Sequence, residues 1–211
     1  EDEVDQTGTV IIAGIGRFGQ IVNRLVQSAG FSTVVIDNDL PTVQMMRKFG
    51  FRGFFGDPSR PDMLNAAGLD DAQVLVVALD DKESSIKLVK YARNNRPDLH
   101  IIARARDRFH VYELYAAGAN DIVREMFDSS LRAGRYALEN LGLSEYEAAE
   151  AERMFYHGDR DALADLARLW DPDIPIVKNT AYVERAKELS NQLETAILTQ
   201  MAEKPKTGTD N

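Results

Sequence analysis

The chain has 211 residues, 44% of them hydrophobic, with a formal net charge of −9. That length suits one domain of about 150 residues plus an appendage, or two small domains, and the acidity argues against a nucleic-acid binder held by phosphate contacts. The absence of cysteine excludes disulfides, thiolate zinc sites and a cysteine nucleophile. No apolar run approaches the roughly 18 residues of a membrane-spanning helix, and the acidic N-terminus shows no signal peptide, so the chain reads as soluble and intracellular.

The first predicted element is the apolar strand Val10-Ile11-Ile12-Ala13, which turns through Gly14-Ile15-Gly16-Arg17-Phe18-Gly19 into a helix beginning near Arg17. In such a turn Gly14 permits the tight bend, Gly16 lets a phosphate approach the backbone, and Gly19 allows close helix–strand packing. The helix over 18–29 places Phe18, Ile21, Val22, Leu25 and Val26 on one apolar face, and Gly30 closes it. A second strand, Thr33-Val34-Val35-Ile36-Asp37, ends in an acid 23 positions after Gly14. That is close to the spacing of about 20 residues at which a carboxylate meets the ribose hydroxyls of a nucleotide, and it disfavours a 2′-phosphate. Asp37 also has a plainer role open to it, as cap of the following helix, which Asp39 would fill equally well.

A helix over 40–49, a short strand over 53–56 and a brief helix over 61–67 come next. The near-continuous apolar run Val74-Leu75-Val76-Val77-Ala78-Leu79 is the pattern of a parallel strand buried on both faces. Helix 82–95, strand 100–103, helix 109–117 and a sixth strand at 121–123 complete six β–α units. The fold class is therefore α/β, a Rossmann-like doubly wound parallel six-stranded sheet over residues 7–124. Ligands of such sheets bind beyond the carboxyl ends of the strands. The residues there are Gly14 to Gly19, Asp37-Asn38, Gly56-Asp57, Ala78 to Asp81 with Asp80 among them, and Arg104 to Asp107.

Beyond residue 124 the pattern turns helical. Helices are predicted over 126–141, 144–155, 161–170 and 181–201, with a polar, disordered tail over 203–211. Residues 125–202 form a C-terminal helical extension. Asp171-Pro172-Asp173-Ile174-Pro175 interrupts the pattern, since no helix interior tolerates it.

Candidate catalytic groups are sparse. The three histidines are scattered, with His100 leading a strand, His110 opening a helix and His157 in a linker, and no metal-ligand spacing results. None of the seven tyrosines has a lysine four positions on, so the short-chain dehydrogenase pairing is absent. Asp70-Asp71 and Asp80-Asp81 read as turns and helix caps. A sensing module fits this inventory better than an enzyme.

The arginine directly after the second glycine makes Gly14-Ile15-Gly16-Arg17-Phe18-Gly19 resemble the RCK or KTN domains that regulate potassium channels and transporters. Met46-Arg47-Lys48-Phe49-Gly50, Phe55-Gly56-Asp57 and Ile101-Ile102-Ala103-Arg104-Ala105-Arg106-Asp107 narrow the likeness. With Leu138-Glu139-Asn140-Leu141-Gly142-Leu143 and Tyr146-Glu147-Ala148, they resemble the cytoplasmic domain of the Kef glutathione-regulated potassium efflux systems, over roughly residues 9–160.

The resemblance implies an N-terminal membrane antiporter preceding this chain and a location on the cytoplasmic face of the bacterial inner membrane. It also implies a homodimer through the helix at 126–141, an ancillary flavoprotein subunit as a possible further partner, and no nucleic acid. It implies an adenine nucleotide in each Rossmann fold, AMP first and NAD(H) second. Glutathione would hold the dimer gated off, and glutathione conjugates of electrophiles would open it. The positions matching the family's regulatory site are Arg24, Phe49, Arg106, Asp107 and Arg124. A family asparagine falls at Asp159, and a carboxylate there cannot donate a hydrogen bond.

Those residue types suit the ligand. Guanidinium forks recognise carboxylates bidentately, so Arg24 and Arg124 would take the two carboxylates of glutathione and Asp107 its ammonium. Phe49 would act as a lever that only a bulky S-substituent displaces. Two rivals stand beside this reading: a nucleotide-sensing subunit of a potassium uptake system, and a small NAD-dependent oxidoreductase.

Overall fold

Branched apolar residues set the centre of the sheet. In the computed structural model, which describes residues 9–51 and 53–202, β1 (Val10–Ala13) and β2 (Thr33–Asp37) are buried at every position. Between them runs α1 (Arg17–Ser28), and after them α2 (Leu40–Lys48), the two-residue β3 (Phe54–Phe55) and the short α3 (Pro61–Ala66). Then come β4 (Val74–Val77), α4 (Lys82–Asn95), β5 (His100–Ala105), α5 (Arg108–Ala117) and β6 (Asp121–Arg124). The six strands are all parallel, in the order β3-β2-β1-β4-β5-β6. That order reverses direction between β1 and β4, and the reversal opens a crevice beyond their carboxyl ends. The fold is the Rossmann-like doubly wound sheet expected from the sequence.

One side of the sheet is filled by Val10, Ile12, Ile15, Val35, Met46 and Val76, with Phe18, Val22 and Val26 of α1 against them. The expectation of a single apolar face on α1 is half right. Ile21 and Leu25 are 69% and 71% exposed, whereas Gly19 and the polar Asn23 are buried. The reason is a hydrogen-bond chain under the helix. Gln27 Nε2 donates to Thr33 Oγ1 (2.9 Å), which donates to Asn23 Oδ1 (2.7 Å). That chain turns Asn23 inward and rotates Ile21 and Leu25 toward solvent.

The chain divides into two compact units between Glu125 and Met126. In the second unit, α6 (Phe127–Asn140), α7 (Glu145–Ala167) and α8 (Thr180–Ala202) follow one another. Here two expectations fail. The helices predicted over 144–155 and 161–170 are one continuous α7, and His157 lies inside it rather than in a linker. Gly158 does not break the helix because Leu193 of α8 packs onto it, so close that a Cβ at 158 would lie 2.5 Å from Leu193 Cδ1. Ser144 and Glu147 cap the start of α7 reciprocally: the Glu147 amide donates to Ser144 Oγ (3.3 Å) and the Ser144 amide to Glu147 Oε2 (2.8 Å). Residues 7–8 and the tail expected at 203–211 lie outside the described residues. No helix among the described residues is long and apolar enough to cross a membrane.

Candidate functional site: a crevice at the sheet reversal

The glycine turn is shaped by what a side chain would strike. Gly14 has φ +95°, and a Cβ there would sit 2.7 Å from the Ala78 carbonyl oxygen. A Cβ on Gly19 would lie 2.2 Å from the Gly14 carbonyl oxygen, so α1 can pack this closely on its own strand only without a side chain. Gly16 is different, because a Cβ there meets nothing within 4 Å. Neither packing nor a left-handed backbone demands glycine at that position. Gly16 is the N-cap of α1, no side chain caps the helix, and no acid occupies its first turn. An open approach to bare helix amides suits an anionic group such as a phosphate.

Asp37 closes the neighbouring edge. Its Oδ2 accepts from the Ile15 amide (2.5 Å) and its Oδ1 from the Asp39 amide (2.7 Å), so the carboxylate is fixed beside the glycine turn. The side chain that caps α2 is Asp39, which accepts from the Thr42 amide (3.2 Å). Capping therefore does not account for Asp37. Each carboxylate oxygen has a second lone pair for a ribose hydroxyl. Asn38 is exposed next to it.

The other expected contacts divide. Ala78 is buried, and its amide continues the ladder to Ala13 (2.8 Å) at the crevice floor. Gly56 packs against Met63, whose Cε would lie 2.3 Å from a Cβ there, a contact that the end of that flexible side chain can relieve. Asp57 is turned to its own loop, accepting from the Ser59 amide (2.9 Å) and hydroxyl (2.7 Å). Asp81 caps α4 as expected. Asp80 is not a cap: its Oδ1 receives Arg104 Nη2 (2.7 Å) and Arg106 Nη2 (2.8 Å). The Arg104 hydrogen bond and charge, reinforced by Arg106, hold the Asp80 carboxyl below its ordinary value against the cost of burial.

Arg104 is a residue of this region that its place at a strand end does not single out. Its side chain is 6% exposed, it donates from Nη2 to the Leu79 carbonyl (2.9 Å), and its guanidinium carbon lies 5.8 Å from the centre of the Phe18 ring. The available signal was a lone basic residue between the alanines of the otherwise apolar run IIARA.

Of the residues matched to a regulatory site, Arg24, Phe49, Arg106, Asp107 and Arg124 are spread along the first unit. Arg24 and the 74%-exposed Phe49 line one groove of about 370 Å³ between α1 and α2, together with Gln20, Asn23 and Met45. Arg106 and Asp107 follow β5, and Arg124 ends β6, three strands away from β1. Asp107 caps α5 through the His110 amide (2.9 Å) and pairs with Lys82. Burial alone would raise its carboxyl, but the Lys82 ammonium and the α5 amides hold it below its ordinary value. Asp159 belongs to the second unit, where it is buried inside α7 and not beyond the end of a helix.

The strand order, the glycine turn with its open Gly16 and the inward acid at Asp37 define a Rossmann-type nucleotide-binding domain, and residues 10–125 match the family model described as the TrkA-N domain. Residues 129–211 match the potassium efflux system KefB C-terminal domain. The chain belongs to the Kef-type regulatory domains. The Kef CTD of Shewanella denitrificans in AMP-bound form is 40% identical, with a TM-score of 0.71, covering 77% of this chain and 99% of that one. The TrkA-N domain of inner membrane protein ybaL from Escherichia coli is 27% identical, with a TM-score of 0.56, covering 65% of this chain and 99% of that one. The glutathione-regulated potassium-efflux system protein KefC of Salmonella arizonae is 41% identical over 190 residues. That match takes in 90% of this chain but spans only 30% of the relative's length.

Proposed function

We propose that this chain is the ligand-sensing part of a potassium/proton antiporter, binding an adenine nucleotide in the crevice and glutathione or its S-conjugates at a second site. The observation that carries the nucleotide half is Gly16, an unhindered glycine facing the bare start of α1 beside a fixed Asp37. AMP is the first candidate, supported by the AMP-bound relative at 40% identity, and NAD(H) the second. The nucleotide is structural in this reading, and no residue of the crevice is assigned a catalytic role. Gly14 to Gly19 would hold the phosphate, Asp37 and Asn38 the ribose, and Ala78 and Asp80 the far wall. Gly56 and Asp57 would support β3 rather than touch the ligand.

The glutathione half rests on residue chemistry and on the likeness to the glutathione-regulated KefC relative. Arg24 and Arg124 would take the two carboxylates, Arg106 would add charge, and Asp107 would exchange Lys82 for the ligand ammonium. Arg24 and Phe49 share one groove while Arg124 ends the edge strand β6, so a second copy is needed to complete the set. We assign that copy to a homodimer joined through α6, none of whose residues is buried within the chain. Light scattering should give twice the 23.6 kDa chain mass. A membrane antiporter domain, an ancillary flavoprotein and a place at the cytoplasmic face of the membrane complete the assignment. Asp159 belongs to it only as a buried support of α7.

Gating follows from differential affinity, because a ligand shifts a two-state dimer only by the difference between its affinities for the two states. Glutathione would favour the closed state, and a conjugate whose substituent must displace Phe49 would favour the open one. Titrations with glutathione and an S-substituted conjugate test this on wild type and Phe49→Ala. The variant should bind glutathione as wild type does and lose discrimination for the conjugate. Unchanged discrimination would remove Phe49 as the lever.

A further inference from the structure

The most constrained charge in the first unit is Arg104, and the nucleotide reading leaves it unused. Its guanidinium stands where three segments converge: the glycine turn through the Phe18 ring, the loop after β4 through the Leu79 carbonyl and Asp80, and the end of the unit through Glu125. Its hydrogen bonding is incomplete. Nη2 serves both Leu79 and Asp80, while Nε is buried with no partner. Nη1 stops 3.8 Å from Glu125 Oε1, beyond hydrogen-bond reach. A buried guanidinium proton without an acceptor is costly, and here that proton is on Nε, so the group gains from a turn toward Glu125 that offers it a further carboxylate contact.

Its two carboxylates differ in setting. Asp80 is 85% exposed and shared with Arg106, whereas Glu125 is 32% exposed. Glu125 is also the last residue of the first unit. Met126, which follows it, is the only described non-glycine residue with positive φ, at 67°. A left-handed conformation at such a residue is strained and persists only where the surroundings impose it.

We propose that Arg104 is a positioning residue that couples nucleotide occupancy of the crevice to Glu125, at the point where the chain leaves the Rossmann unit. The proposal rests on the nucleotide reading above. A nucleotide between the glycine turn and Asp80 brings negative charge beside Asp80 and loosens that carboxylate from Arg104. The guanidinium then turns toward Glu125 and closes the 3.8 Å gap. Binding and the Arg104–Glu125 contact thereby favour one another. Linkage is reciprocal, so removing Glu125 must weaken nucleotide binding although Glu125 is not assigned to the crevice wall.

The test is a calorimetric AMP titration of wild type, Glu125→Gln, Arg104→Met and the double variant, each checked for folding by thermal melting. Glu125→Gln should bind AMP about fivefold or more weakly than wild type, the lower end of ordinary allosteric coupling. In the Arg104→Met background the same change should cost less than about twofold, since uncoupled sites add independently. Equal AMP affinity for wild type and Glu125→Gln overturns the proposal. So does an undiminished Glu125 effect in the Arg104→Met background. Where Arg104→Met does not fold, amide exchange decides: AMP should slow exchange at Met126 and Phe127 in wild type but not in Glu125→Gln, and equal slowing in both overturns the coupling. Failure of wild type to bind AMP would instead overturn the nucleotide reading, and the coupling with it.

Discussion

The crevice at the sheet reversal and the groove between α1 and α2 share one helix but are built on opposite plans. The crevice is made of backbone: helix amides, a carbonyl ladder, and glycines placed where a Cβ would collide or would block an approach. The acid assigned to the ribose, Asp37, is held by two amides before any ligand arrives. The groove is made of side-chain ends, with Phe49 74% exposed and Arg24 beside it. A backbone site pays its ordering cost during folding and binds without rearrangement. A site of exposed side chains is ordered only by its ligand, so it can answer differently to two ligands. The first plan suits a resident nucleotide, the second a signal.

The comparison breaks most sharply at the glycines. Gly19→Val should abolish soluble folded protein, because its Cβ would meet the Gly14 carbonyl at 2.2 Å. Gly16→Val, in open space, should lower stability by no more than about 1 kcal/mol, the scale of an N-cap change. It should nonetheless eliminate nucleotide binding. Melting curves and AMP titration of the two variants separate these effects, and comparable destabilisation by both would show that Gly16 is only part of the turn.

At the two arginines assigned to the ligand carboxylates, Arg24 in the groove and Arg124 at the end of β6, replacement by Ala would leave a carboxylate unpaired, which typically costs about 2–5 kcal/mol of affinity. Glutathione titration should show that loss while the melting temperature stays close to wild type. Variants that bind as wild type does would remove these arginines from the site. Asp37→Ala should have a smaller effect on AMP, about 1.5–3 kcal/mol, the range for a hydrogen bond to a charged group. Part of any accompanying fall in stability would come from the Ile15 and Asp39 amides left without their acceptor.

The smallest expected effect concerns pH. His110 is 1% exposed, its Nδ1 accepts from the Arg106 amide (3.2 Å) and its Nε2 is buried without a partner. Burial, reinforced by Lys82, lowers its pKa from the ordinary 6.5. The unfolded chain therefore takes up a proton near pH 6.5 that the folded chain refuses, so the stability held above that pH declines as pH falls below it. The melting temperature should drop between about pH 7 and 5.5, and His110→Gln should flatten that slope. An unchanged slope would assign the loss to other groups.

How far the sequence reaches follows from the range of the interactions involved. The glycine turn and Asp37 are legible because their meaning is local: a strand, a turn, a helix start and an acid at a set distance. The strand order follows from alternating strand and helix patterns. The outward turn of Ile21 and Leu25 was not legible, because periodicity reveals an apolar stripe but not the Gln27–Thr33–Asn23 chain that competes with it. Continuity of α7 through Gly158 depends on Leu193, which is 35 positions away. Arg104 was visible as a charge in an apolar strand, but its partners Asp80 and Glu125 come from separate loops that only the folded sheet brings together.

The central claim is that the crevice holds an adenine nucleotide through an open Gly16. It is tested most directly by calorimetric titration of AMP into wild type and Gly16→Val, both stripped of resident nucleotide and refolded. The account predicts saturable binding at one site per chain in wild type and none in the variant, with the two melting curves close together. No saturable binding by wild type, or equal binding by a folded Gly16→Val, would contradict it.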